Sequence, residues 1–359
     1  MLARIKKTLW TVVAVSVVAG GLYLLWFGYR VLHPGDEVYA VTPGTSLNEF
    51  AHSLQSRGLI PYDKPLVVWA YVKGLSRSLK AGEYRFKDGI NVLALLDQVT
   101  SGRVISYPFA IVEGLTIKQT LETLGRSPKL QHSLAEVPWE KLLEHLGVSD
   151  YDYPEGLFFP DTYTYSAGVQ DTVLLHQAYK RMKEFVEQEW LGRDEGLLLK
   201  DPYETLILAS IVEKETGIAA ERPLIAGVFH NRLKRGMKLQ TDPTVIYGLG
   251  ERFKGNLKRK HLREDNPYNT YTRVGLPPTP IATPSAAAIR AVLHPQETQA
   301  LYFVARGDGS HQFSETLREH NNAVIRFQLG GKRKAFSSMP KKASKEASSE
   351  KSAAKARRR

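Results

Sequence analysis

Residues 8–29 carry no charged side chain and are rich in Val and Leu. As a helix the run is roughly 30 Å long, which suffices for one crossing of a bilayer core. Arg4, Lys6 and Lys7 precede it and Arg30 follows, while Trp10, Tyr23, Trp26 and Tyr29 fall where aromatic side chains sit at membrane interfaces. The asymmetry predicts that residues 1–7 stay inside and that everything after residue 29 is exported. A cleaved leader would have a shorter apolar stretch and a small-x-small site. Residues 22–30 offer no such site, so the pattern reads as an uncleaved anchor.

Beyond the anchor the hydrophobic positions change period several times. Residues 38–41 alternate as a short strand, and Ser46 with Glu49 forms a capping-box signature before a helix over 47–57 that Gly58 stops. A second helix spans 63–72 with Pro65 in its first turn, 82–86 is a strand, and 92–99 a third helix. The size and order of this module, residues 36–103, resemble the LysM class of small glycan-binding modules; a structural spacer fits the same pattern.

From residue 104 a larger mixed α+β domain extends to 330. A strand over 104–112 leads to a helix capped by Thr116 that runs to Leu124, and residues 126–150 read as helical. The segment PEGLFFPDTY at 154–163 sets aromatics between turn-forming residues, a pattern suited to stacking on sugar rings and equally to a plain core. A long helix over 173–190 precedes an apolar helix over 204–217 closed by Gly217. The expected class is therefore α+β: a transmembrane helix, a small module and a mixed catalytic domain.

Composition narrows the chemistry. With no cysteine among 359 residues, disulfides, thiolate metal sites and a cysteine nucleophile are excluded. The net charge of +12 resembles a nucleic-acid signature until it is located: residues 331–359 hold eleven Lys or Arg against two Glu, so nine of the twelve charges lie in a Ser/Ala/Lys-rich tail. The tail reads as a solvated extension, and no nucleic-acid partner is expected.

Two carboxylates, Glu213 and Glu215, end the 204–217 helix. Two residues apart, they point to nearly opposite sides and cannot share one cleft. Leu208, Ile211 and Val212 lie beside Glu215 on the apolar stripe, whereas Glu213 shares its side with Leu206, Ala209 and Ser210. A carboxyl in apolar surroundings stays protonated to higher pH and can act as a general acid. From the helix alone, a helix-end carboxylate paired with Lys or Arg fits as well. The stretch at 236–248 reads as an irregular segment fixed by Pro243, and 266–271 and 275–285 as further polar, Pro-rich loops. Neutral amides, hydroxyls and tyrosines on such loops suit sugar hydroxyls.

Taken together, ASIVEKET at 209–216, NRL at 231–233, LQTDPTVIYG at 239–248, YNTY at 268–271 and GLPP at 275–278 resemble the endolytic murein transglycosylase family. Thr279 and Ser285 stand where the family pattern suggests Gly. The resemblance implies an inner-membrane lytic transglycosylase, catalytic part periplasmic. It would cut nascent murein strands between N-acetylmuramic acid and N-acetylglucosamine, leave 1,6-anhydromuramic ends and so terminate strands. It places the catalytic glutamate on Glu215 and implies no cofactor and no metal. Gln240, Thr241, Asn269 and Tyr271 are the candidates for holding the sugar, with Glu213 and Asp242 as secondary acids. Murein strands, the membrane and penicillin-binding synthases are the expected partners. Two rivals are a pyridoxal-phosphate lyase, which the anchor and the lack of a Schiff-base lysine context oppose, and a non-catalytic murein-binding scaffold.

Overall fold

The computed structural model describes residues 2–330; the basic tail at 331–359 lies outside the described residues. The architecture is mixed α+β, in two compact units. The first comprises residues up to 109 with 127–131 and 164–170, and the second residues 110–126, 132–163 and 171 onward.

In the first unit the order is α1 (Leu2–Gly28), β1 (Val38–Val41), α2 (Leu47–Ser56), α3 (Lys64–Val72), β2 (Gly82–Arg85) and α4 (Val92–Ser101), leading into β3 (Tyr107–Ala110). Among the described residues one helical stretch, Arg4–Gly28 within α1, is long and apolar enough to cross a membrane. Its last turn enters the core of the module: Phe27 is buried, and Trp69 Nε1 donates to the Leu24 carbonyl at 2.8 Å. Gly28 permits this approach, since a Cβ there would meet the Trp69 ring at 2.9 Å. The strand–helix–helix–strand order is as expected, and β1 pairs antiparallel with β2, Val38 opposite Arg85 and Val41 opposite Gly82. Ser46 caps α2 through the Glu49 amide while Glu49 returns to the Ser46 amide, and Asn91 caps α4. Phe50, Leu54, Leu66, Tyr84, Phe86, Leu95 and Leu96 form the core between them.

The second unit is built around one buried helix. Its elements are α5 (Ile117–Leu124), α6 (Leu142–His145), β4 (Thr162–Tyr165, which ends in the first unit), α7 (Asp171–Leu191), α8 (Pro202–Glu215), α9 (Arg222–Lys234), α10 (Asp242–Leu249), α11 (Ala286–Leu293), β5 (Tyr302–Ala305), β6 (His311–Ser314) and α12 (Leu317–Phe327). Every residue of α8 from Thr205 to Val212 is buried, on all sides, and α7, α9, α10 and α11 pack around it. Asp201 caps its start with Pro202 in the first turn, and Thr216, in extended conformation, ends it one residue before the expected Gly217 stop. The antiparallel β5–β6 hairpin pairs Phe303 with Phe313 and carries α12 after it.

Two expectations from periodicity fail. Residues 126–150 hold only the 3-10 turn Trp139–Lys141 and the four-residue α6. Pro128 and Pro138 bar a continuous helix there. Asp171 instead takes the Ser133 and Leu134 amides at 3.2 and 3.1 Å and the Ser133 hydroxyl, fixing an irregular path. Second, the segment read as irregular at 236–248 is helical from Asp242. Pro243 sits in the first turn of α10, where its missing N–H costs nothing and its φ is already helical.

Candidate active site

Glu215, as the last residue of α8, emerges from the buried helix at the edge of a cleft of about 600 Å³. Gln240, Thr241, Asp242 and Tyr271 line the same cleft, so four of the other residues named from sequence are brought to Glu215. They come from the short segment before α10, from its first residue and from the loop that follows it.

That segment is sewn in place by hydroxyls and amides. Gln240 adopts φ +50°, a left-handed conformation uncommon for a residue with a side chain. Its N–H donates to the Thr270 carbonyl at 3.1 Å, and the Thr241 N–H to the Thr270 hydroxyl at 3.1 Å. Thr244 then donates to the Thr241 carbonyl at 2.8 Å. With its backbone so fixed, Thr241 presents its hydroxyl to Oε1 of Glu215. On the other side of the turn, the Tyr271 hydroxyl donates to Asp242 Oδ1 at 2.6 Å, and burial with the adjoining carboxylate pushes that phenol well above its usual range.

Burial dominates the electrostatics of Glu215 and pushes its carboxyl up to about 7. The Asp242 charge adds to the rise, while the Thr241 hydrogen bond, His311 and Arg232 oppose it. Its position at a helix C-terminus, where the dipole is negative, acts in the same direction as burial. Glu215 is thus an acid that holds its proton near neutral pH. Asp242 is engaged by Tyr271.

Two other residues named from sequence lie elsewhere. Asn269 is fully buried: its amide donates to the His261 and Glu264 carbonyls at 3.0 and 2.6 Å, and its Oδ1 accepts from the Tyr271 N–H at 2.9 Å. It therefore shapes the loop that carries Tyr271 and does not line the cleft. Glu213 turns to the opposite side of α8, where it accepts from the Ser285 N–H at 3.1 Å, from the Ser285 hydroxyl, and from Arg222 at 3.3 Å. Its role there is to pin the start of α11.

Sequence reasoning missed the far wall. Arg232 of α9 donates to the Leu301 and Leu239 carbonyls, both at 2.6 Å, and lies 5.2 Å from the centroid of the Tyr302 ring, so its guanidinium ties two chain segments together. His311 and His320 also line the cleft, the latter stacked on Tyr302 at 5.3 Å. The one available signal was a pair of histidines in an otherwise aromatic and polar C-terminal hairpin and helix. Among the described residues, no three His, Asp or Glu side chains converge as metal ligands would.

The model of the YceG-like family matches residues 39–326. A protein of Bacillus subtilis strain 168 named endolytic murein transglycosylase is 30% identical over 336 residues, which covers 87% of this chain and 91% of that protein. One of the same name from Streptococcus pneumoniae D39 is 27% identical over 317 residues, 79% of this chain but 57% of that longer protein. The crystal structure of a YceG-like protein from Listeria monocytogenes superposes with a TM-score of 0.50 at 28% identity and covers 80% of this chain and 99% of that one.

Proposed function

Because the chain belongs to the YceG-like family, we propose that it is a membrane-anchored lytic transglycosylase of murein, with Glu215 as its general acid and base. The observation that carries this reading is a carboxyl at a buried helix end, pushed up to about 7, on a cleft that it shares with the amide of Gln240 and the hydroxyls of Thr241 and Tyr271.

Protonated Glu215 donates to the oxygen bridging N-acetylmuramic acid and N-acetylglucosamine, and the C1–O bond breaks toward an oxocarbenium-like species. The carboxylate left behind then recovers a proton as the muramyl 6-hydroxyl loses its own and O6 bonds to C1, giving a 1,6-anhydromuramic end. No water is consumed, so one catalytic carboxyl suffices. Asp242, held by Tyr271, helps keep Glu215 protonated in the resting site. Gln240, Thr241 and Tyr271 supply hydrogen bonds to the sugar.

In this reading α1 anchors the protein in the inner membrane with residues 1–7 inside and residues 104–330 in the periplasm. Residues 36–103 act as a LysM-like module on the glycan, and cleavage of nascent strands ends their growth beside penicillin-binding synthases. The test is digestion of purified glycan strands in oxygen-18 water. Wild-type products carry anhydromuramic ends without label, and Glu215→Gln lowers the rate by roughly 10²–10⁴-fold. Labelled reducing ends would make the enzyme a hydrolase.

A further inference from the structure

The cleft that Glu215 lines also holds a histidine clamped by a carboxylate. His311 opens β6, and Glu221 lies in the 3-10 turn Ala219–Glu221 that precedes α9. His311 Nδ1 sits 2.7 Å from Glu221 Oε2, and the His311 backbone N–H donates to Oε1 at 2.9 Å, so both carboxylate oxygens contact this residue, Oε2 also accepting from the Thr216 hydroxyl at 3.4 Å. Burial opposes the charge on Glu221, but these hydrogen bonds outweigh it and hold the carboxyl below its ordinary range, hence ionised. An ionised carboxylate only accepts, so Nδ1 carries the hydrogen and the lone pair of the neutral ring is on Nε2.

The ring is also fixed by packing. It meets Phe303 edge-on at 5.5 Å and 90°, and Phe313 at 6.5 Å and 60°. The His311 side chain is 10% exposed and lines the cleft that Glu215 lines. Other titratable groups on the cleft come from each packed element: Glu215 from α8, Arg232 from α9, Asp242 from α10, Tyr271 from the loop after α10, Tyr302 from β5 and His320 from α12. Arg232 is spent on carbonyls, Asp242 and Tyr271 on each other, and burial with the Arg232 charge holds His320 below its ordinary range, which leaves Glu215 as the group suited to exchange a proton with the imidazole.

We propose that His311, held in one tautomer by Glu221, is a second proton-handling residue of the cleft, carrying the proton of the attacking sugar hydroxyl to Glu215. The proposal rests on the transglycosylase reading above. The bridging C1–O bond breaks and its oxygen takes the Glu215 proton; O6 bonds to C1 and its hydrogen passes to Nε2; the imidazolium returns it to the Glu215 carboxylate. Both residues end as they began, and no further reactant enters. Glu221 is a positioning residue that sets the tautomer and supplies counter-charge to the imidazolium.

The experiment measures kcat, KM and pH–rate profiles of the purified full chain in detergent, acting on defined glycan strands. His311→Gln is expected to lower kcat by about 10²-fold or more with little change in KM, and to abolish the acid limb of the profile while the alkaline limb set by Glu215 remains. Glu221→Gln is expected to keep the acid limb but move it to lower pH, because the imidazolium loses its counter-charge; a merely structural pair would not move it. Should His311→Gln lose its native melting transition, Glu221→Gln decides alone. A His311→Gln enzyme with full kcat and both limbs, or an unmoved acid limb in Glu221→Gln, overturns the proposal while Glu215→Gln inactivity leaves the parent reading standing. An active Glu215→Gln enzyme overturns both.

Discussion

Thr241 donates its hydroxyl to Oε1 of Glu215 across 26 positions of sequence, and it does so from the N-cap position of α10 without capping that helix. The hydroxyl is therefore free of any duty to the helix and its hydrogen goes to the carboxyl.

Replacing Thr241 by Val should raise the alkaline limb of the pH–rate profile. The hydrogen bond stabilises the carboxylate and so lowers the Glu215 pKa; its loss leaves burial and Asp242 less opposed. A hydrogen bond to a charged group contributes about 1.5–3 kcal/mol, so a rise of about one pH unit is expected. A limb that stays put or moves to lower pH in the kcat/KM profile would show that Thr241 does not govern this proton.

Glu155 makes stability pH-dependent. Its carboxyl is 2% exposed and burial pushes it up to about 7, against hydrogen bonds from the Ile117 N–H at 2.9 Å, Tyr247 at 3.0 Å and the Gly156 N–H. The folded state thus binds the proton more tightly than the unfolded chain, whose value is 4.5. The contribution is complete below pH 4.5 and is lost as pH rises through 7, up to about 3 kcal/mol for such a shift. Melting temperatures of wild type should fall between pH 5 and pH 8, and Glu155→Gln should flatten that fall. Equal slopes for the two proteins would refute the assignment.

Glu213→Gln should weaken the fold while sparing the chemistry. The carboxylate is 5% exposed and joins Arg222 to the start of α11 through Ser285, so neutralising it leaves Arg222 without its counter-charge. A loss of about 3–5 kcal/mol follows from breaking a buried pair on one side. Thermal unfolding should report it, with kcat retained below the new transition. A variant with wild-type melting and no activity would mean that Glu213 takes part in catalysis.

The elements legible in sequence were those with local punctuation. The capping box at Ser46 and the cap at Thr116 are where the sequence places them, and Glu215 and Glu213 turn to different partners as their two-residue spacing on α8 requires, although α8 is buried on all sides and carries no single apolar stripe. Where a residue type has two local meanings, pattern reading chose wrongly. Pro243 was equally compatible with a loop brace and a helix first turn, and the polar Asn269 of YNTY proved to serve its own loop.

By itself, then, the sequence determined the apolar anchor-length helix, the order of the small module, the buried helix α8 and the acid at its end, because caps, stops and a 3.6-residue period act within a few residues of one another. Only the tertiary structure decided what that acid faces. Thr241 reaches it from 26 residues away, and Glu221 fixes His311 from 90 residues away, distances over which no local rule operates. The packing of α9, α10 and α11 around α8, and the docking of Arg232 on the chain ahead of β5, bring those groups to one cleft. The same burial that assembles the cleft also raises the Glu215 carboxyl to about 7, because it takes the carboxyl out of water.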